Sequence, residues 1–267
     1  MRYHDVNGMN VLKIVKEYLL SKWRFAIVIG ASSGIGEALA RQLSSQGCKV
    51  ALVARRTDKL NVIADELGSA AKDRPLVFEH DVLNTADVPG LFEKICKDLG
   101  GLDLFIFSTG VMPVLPDDMY DTASDLNVIE TNVAGAVAWI NEAADRFQKT
   151  RFGTIVGIGS VAGDRGRRGM PVYGASKAFL ETYLEAIRNR TARYGVKVVT
   201  VKPGPVDTPM TQGIGRPLPM LISANDAAAT ILRASENDGV VYVPWQWKPI
   251  MWIIRHIPSF VMKRINI

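Results

Sequence analysis

The sequence predicts an α/β protein: a doubly wound parallel sheet with helices on both faces. Three observations predict it. Short apolar runs such as FAIVIG (25–30), KVALVA (49–54) and GTIVGI (153–158) read as strands buried on both sides. Longer amphipathic segments alternate with them, as crossover helices between parallel strands must. A glycine-rich turn, Gly30, Gly34 and Gly36, joins the first strand to the first helix.

Taken in order, the chain opens with an amphipathic helix over 9–22, with Val11, Val15, Tyr18 and Leu19 at helical spacing. Strand 25–30 follows, then a helix from Gly36 to about Gln46 and strand 49–54. The alternation continues with helix 57–67, strand 76–79, helix 85–98, strand 102–107 and helix 124–148. Strand 153–158, helix 173–194 and strand 197–202 come next. A helix over 223–235, capped by Ser223 or Asn225, and strand 239–244 close the pattern. No Pro/Gly/Ser-rich linker, repeat or low-complexity tract interrupts the 267 residues, so one domain is the simplest count. The expected division is an N-terminal helical extension (1–24), the domain itself (25–244) and an aromatic and basic tail (245–267).

Composition narrows the function. A net charge of +5 is mild, and no basic run interleaved with aromatics points to nucleic acid. Two distant cysteines, Cys48 and Cys96, and three scattered histidines give no metal ligand set and no disulfide framework. That usage suits a reducing cytosol. The start shows no signal-peptide pattern, and no apolar run approaches the ~18 residues a spanning helix needs. The expected location is therefore cytoplasmic.

The glycine turn has a physical purpose. A diphosphate must approach main-chain N–H groups closely, and a helix start directs its positive end at the anion. The end of the second strand selects the nucleotide. A carboxylate there would bind a ribose 2′-hydroxyl; this chain has Ala54, Arg55 and Arg56 instead. Two guanidinium groups suit a 2′-phosphate, so NADP(H) is expected in preference to NAD(H). Asp81, after the third strand, is placed to accept from an adenine amine.

Tyr173 and Lys177 are four residues apart on a helix, hence on one face, with only small residues between them. A free phenol is a poor base near neutrality, and a neighbouring ammonium favours its ionised form. Such a tyrosine can pass a proton to or from a substrate oxygen. Ser160 ends a buried strand, where a doubly wound sheet places its ligands. Asn132 sits in a helix interior against its propensity.

Together, Gly30-x3-Gly34-x-Gly36, Asp81, Asn132, Ser160, Tyr173-x3-Lys177 and Pro203-Gly204 resemble the short-chain dehydrogenase/reductase family, in its main single-domain branch. The resemblance runs from Phe25 to Pro244. It implies a Rossmann-type sheet of seven parallel strands in the order 3-2-1-4-5-6-7. It implies Tyr173 as general acid/base, with Ser160 positioning the substrate oxygen. Lys177 lowers the tyrosine pKa and binds the nicotinamide ribose, and Asn132 holds a water linking Lys177 to solvent. It implies cofactor contacts from Ser32, Ser33, Ile35, Val82 and Gly110. Further contacts come from the loop KPGPVDTPM, through Pro203, Gly204, Val206 and Thr208. Partners by the same resemblance are a small carbonyl or alcohol substrate and further copies of the chain, as a homodimer or homotetramer through helices 124–148 and 173–194. Three departures stand out: FSTG (107–110) where the family has N-N-A-G, Ser33 where many NADP users carry a basic residue, and Ile29 before the first glycine.

The expected activity is interconversion of a secondary alcohol and a ketone or aldehyde, as a carbonyl reductase. A non-catalytic NADP-sensing protein is the alternative. The lid region TQGIGRPLPMLIS (211–223) is apolar and favours an apolar or lipid-like substrate. In DRGRRG (164–169), Arg165, Arg167 and Arg168 read as a solvated loop or as a site for an anionic substrate group. The tail carries Trp245, Trp247, Trp252 and Phe260 among Lys248, Arg255, Lys263 and Arg264, without one acidic residue. It leaves three partners open: a membrane surface, another subunit, or the chain's own pocket.

Overall fold

Strand β1 (Phe25–Ile29) shows how the core divides. Period-two alternation sends Ala26 and Val28 to one face of the sheet and Ile27 and Ile29 to the other, and all four are buried. The computed structural model describes residues 22–70, 73–116, 118–215 and 217–265. The amphipathic helix expected over 9–22 lies outside the described residues except for Lys22.

Around β1 stand β2 (Lys49–Ala54), β3 (Leu76–Glu79), β4 (Leu104–Phe107), β5 (Gly153–Ile158) and β6 (Val196–Pro203). Two very short strands follow, β7 (Val206–Asp207) and β8 (Ile222–Ser223), which pair only with each other. β9 (Gly239–Val243) then takes the seventh place in the main sheet, whose order is β3-β2-β1-β4-β5-β6-β9. Every pairing in it is parallel. The expected single-domain Rossmann-type sheet is therefore what the chain forms.

One face is covered by α1 (Gly34–Ser45), α2 (Thr57–Ala70) and α8 (Ala224–Ala234), which add Leu39, Leu60 and Ile231 to the cluster around Val28. The other is covered by α3 (Val88–Leu99), α5 (Gly135–Thr150) and α6 (Pro171–Thr191). They bury Phe92, Trp139, Phe147 and Leu184 against Ile27, Phe105 and Phe107. The connections reverse direction between β1 and β4, so their carboxyl ends frame the crevice where such sheets bind ligands.

Two elements differ from expectation. The helix expected over 124–148 is α4 (Thr122–Ile129) and α5, separated by a π-helical turn, Glu130–Ala134. Asp121 starts α4 by accepting from the amides of Ala123 and Ser124. The tail, for which no element was expected, folds as α9 (Trp247–His256) and α10 (Ser259–Met262), after the short α7 (Pro209–Gln212) of the lid region. Of the two candidate caps of α8, Ser223 is the one used, accepting from the Asp226 amide at 3.0 Å.

Candidate active site

A cavity of about 640 Å³ opens at the carboxyl ends of the central strands. Its floor is the glycine turn. Gly30 (φ +87°) and Gly34 (φ +59°) are in left-handed conformations, and a β-carbon on Gly30 would collide with the Thr109 backbone and side chain. A β-carbon on Gly36 would strike the Gly30 carbonyl oxygen, so this glycine serves helix–strand packing and does not line the cavity. Thr109 belongs to the departure FSTG; it fills the place beside the first glycine. Ser33, at the N-cap of α1, makes no capping bond with its side chain. Its hydroxyl instead accepts from Arg56 Nη2 at 2.7 Å, and Ser32 accepts from the same guanidinium at 2.8 Å. The helix start is thus left open for an anion, with Arg56 held over it.

These features fit a dinucleotide phosphate: a turn whose left-handed glycines leave no room for a side chain, and a helix N-terminus without a side-chain cap. Ser32, Ser33, Ile35, Arg55, Arg56, Val82, Gly110, Pro203, Gly204, Val206 and Thr208 all line the cavity. Asp81 does not. Its carboxylate accepts from the Leu83 amide at 3.1 Å and pairs with Arg55 at 3.6 Å on the rim.

Tyr173 and Lys177 face the same cavity from the first turns of α6, and both are buried. Pro171 opens this helix within its first turn, where a missing N–H costs nothing. Lys177 Nζ donates to the Ile158 carbonyl at 2.9 Å and lies 5.7 Å from the Tyr173 ring centre. Burial pulls the lysine pKa down to about 8, against the opposing charge of Glu181. The tyrosine departs from expectation. Burial pushes its phenol up, a hydrogen bond with Ser160 pulls it back, and Glu181 raises it again, for a net upward direction. Lys177 is not among these causes; its Nζ donates to the Ile158 carbonyl instead.

Asn132 sits in the π-helical turn, which resolves its misfit with an ordinary helix. Its Oδ1 accepts from the Val111 amide at 2.8 Å, and its Nδ2 donates to the Val111 carbonyl and to Ser176 Oγ, each at 3.0 Å. Ser176 in turn donates to the Tyr173 carbonyl. Asn132 therefore clamps the loop after β4 to the start of α6. Both amide hydrogens are used, so a water there must be bound by donating to an oxygen.

Sequence reasoning missed a buried charge cluster behind Ser160. Glu181 Oε1 accepts from the Ser160 amide at 3.1 Å. Lys202 bridges Glu181 at 2.8 Å and Asp164 at 2.7 Å, and Asp164 also accepts from Tyr242 at 2.8 Å. Burial raises the Glu181 pKa, partly offset by Lys202. Burial also opposes the Lys202 charge, but its two carboxylates outweigh that and raise its pKa. Glu181 was legible in principle, since Tyr173, Lys177 and Glu181 repeat every four residues along one helix. Asp164 and Lys202 come from other elements and carry no such signal.

One side of the tail packs on the chain's own pocket. Trp247 and Ile254 line the cavity, and Trp247 packs so closely on Gly204 that a β-carbon there would overlap its indole. Met251 is fully buried in the same small cluster, beside Val161. Arg165 fastens this segment by donating to the Ile257 carbonyl at 3.1 Å.

Comparison with known proteins agrees with this geometry. The family model described as short chain dehydrogenase matches residues 24–218. An uncharacterized oxidoreductase of Myxococcus xanthus is 33% identical over 225 residues, 84% of this chain and 88% of its own. One from Mycobacterium tuberculosis is 32% identical over 241 residues, 89% of this chain and 95% of its own. A solved short chain dehydrogenase/reductase family protein superposes with a TM-score of 0.73 at 27% identity, over 84% of this chain and 96% of the other. The actinorhodin polyketide ketoreductase structure with NADPH shares the fold, with a TM-score of 0.75 at 23% identity over 83% and 95% of the two chains. The chain belongs to the short-chain dehydrogenase/reductase family and is an NAD(P)-dependent oxidoreductase.

Proposed function

We propose that this enzyme is an NADP(H)-dependent carbonyl reductase acting on a largely apolar substrate. The observation that carries the reading is the buried Tyr173 beside Ser160 in the cavity that also contains the glycine cradle. Ser160 holds the substrate oxygen, and Tyr173 delivers a proton to it. The Lys177 ammonium stabilises the phenolate left behind, and Asn132 keeps the start of α6 in register with the loop after β4. The chemistry that a bound reduced nicotinamide supplies is a hydride for the carbonyl carbon. Met210, Ile214, Leu218 and Met112 give the rest of the cavity an apolar lining.

The preference for NADP(H) rests on Arg56. Losing one charge-assisted clamp costs about 1.5–3 kcal/mol. Arg56→Ala should therefore weaken NADPH roughly 10- to 100-fold and leave NADH nearly unchanged, read by fluorescence titration. Equal loss for both nucleotides would sink the assignment.

The outward side of the tail supports a second element of the proposal, contact with an anionic bilayer surface. Trp245, Trp252, Ile253 and Phe260 are exposed there, near Lys248, Lys263 and Arg264. Aromatic rings and cations without acids complement a negatively charged interface. The contact proposed is peripheral; among the described residues no helix is long and apolar enough to cross a membrane. The protein should float with vesicles containing phosphatidylserine and detach at high salt, and Trp252→Ala with Phe260→Ala should reduce flotation. Protein left at the bottom of the gradient would contradict it.

A further inference from the structure

Four cationic side chains line the cavity, Arg55, Arg56, Lys177 and Arg167, and no carboxylate among the described residues does. Three have places in the cofactor reading. Arg167 is left over, on the loop between Ser160 and Tyr173. Its two loop neighbours are accounted for otherwise: Arg165 is bound to the tail, and Arg168 stands exposed outside this cavity.

Arg167 is incompletely bonded where it lies. Nη2 donates to the Val161 carbonyl at 3.1 Å and meets Met251 Sδ at 3.7 Å, while Nε is buried without a partner. A guanidinium has five donors in a planar fork, so most of its capacity is unused. Asp164, whose charge reaches Arg167, is held by Lys202 and Tyr242 and approached by Arg255 at 3.8 Å, and no ion pair to Arg167 forms among the described residues. Burial pulls the Arg167 pKa down, with the charge of Asp164 opposing. A cation drawn into an apolar cavity and left short of partners is costly unless a ligand completes it.

We propose that Arg167 binds an oxyanion group, a carboxylate or phosphate, on an otherwise apolar carbonyl substrate. This deepens the reductase reading and rests on it. The substrate class is then amphipathic: a hydrocarbon body against Leu218 and Ile254, and one anionic group at the loop before α6.

The test compares a medium-chain oxo acid, its methyl ester and the oxo-alkyl phosphate of equal length. The intact enzyme should favour at least one anionic compound over the ester by roughly 10- to 100-fold in kcat/KM. Arg167→Gln should collapse that ratio towards one, Arg167→Lys should restore part of it, and Arg168→Gln should keep it. A preference for the acid or for the phosphate alone supports the proposal and names the anion. Equal rates for all three compounds, or the same collapse in Arg168→Gln, overturn it. Tryptophan fluorescence, with Trp247 in the cavity wall, reads the same preference as binding. Failure of turnover with preserved preference would therefore count against the reductase reading and still support the Arg167 site.

Discussion

Tyr173→Phe should lower carbonyl reduction by roughly 10²- to 10⁴-fold, the usual worth of a positioned general acid. The nucleotide should bind as before, because the cradle, Arg56 and Lys177 are untouched. The change removes one hydroxyl from a buried ring, leaves the ring packing in place and releases the Ser160 hydroxyl from its partner. The check is kcat beside a fluorescence-derived Kd for NADPH. Retained turnover would show that some other group supplies the proton.

The second large effect concerns Lys177. Its pKa falls from an unfolded value of 10.5 to about 8 in the fold, chiefly through burial. Between those values the unfolded chain binds more protons, so stability rises with pH there. The penalty for burying the charge is fully present below pH 8 and relieved as the pH climbs towards 10.5. Lys177→Met has no such group. The wild type should therefore gain about 2 kcal/mol on the variant between pH 7 and pH 9.5, measured by denaturant unfolding at each pH. The lost bond to Ile158 is common to both pH values and cancels in that difference. In the same window, reductive kcat/KM of the wild type should fall above about pH 8, as the ammonium is lost. Parallel stability curves for the two proteins would mean that Lys177 is not desolvated as described. The residue thus destabilises the fold at the position for which a role in the reaction is proposed, an ordinary arrangement for active sites.

The sheet was legible because parallel strands covered on both faces have little choice of residue. FAIVI, KVALVA and LFIF read as strands for the same reason that they are buried. The site was legible where its geometry is local: three glycines in one turn, or Tyr173 and Lys177 one helical turn apart. It was hidden where partners meet through the fold. Asn132 bonds a loop 21 residues away, and Ser160 rests on Glu181 at the same separation. Lys202 and Asp164 meet across 38 residues. The π-turn around Asn132 has no periodic signature, and β7 and β8 are too short to show one. The tail has large apolar residues on both sides of α9. Sequence left three partners open, and packing decided that Trp247, Met251 and Ile254 turn inward while Trp252 and Ile253 remain exposed. The direction of the Tyr173 pKa also needed the fold, since spacing to Lys177 showed the neighbour but not the burial that outweighs it.

The most direct test is a single turnover with enzyme in excess over NADPH, followed at the nicotinamide absorbance in the presence of a medium-chain ketone. The account predicts that the absorbance decays to completion and that one alcohol forms for each NADPH, with the decay slowed in Tyr173→Phe. NADPH that binds and stays reduced against every carbonyl in a mixed panel would contradict it, and would mark the cavity as a nucleotide sensor.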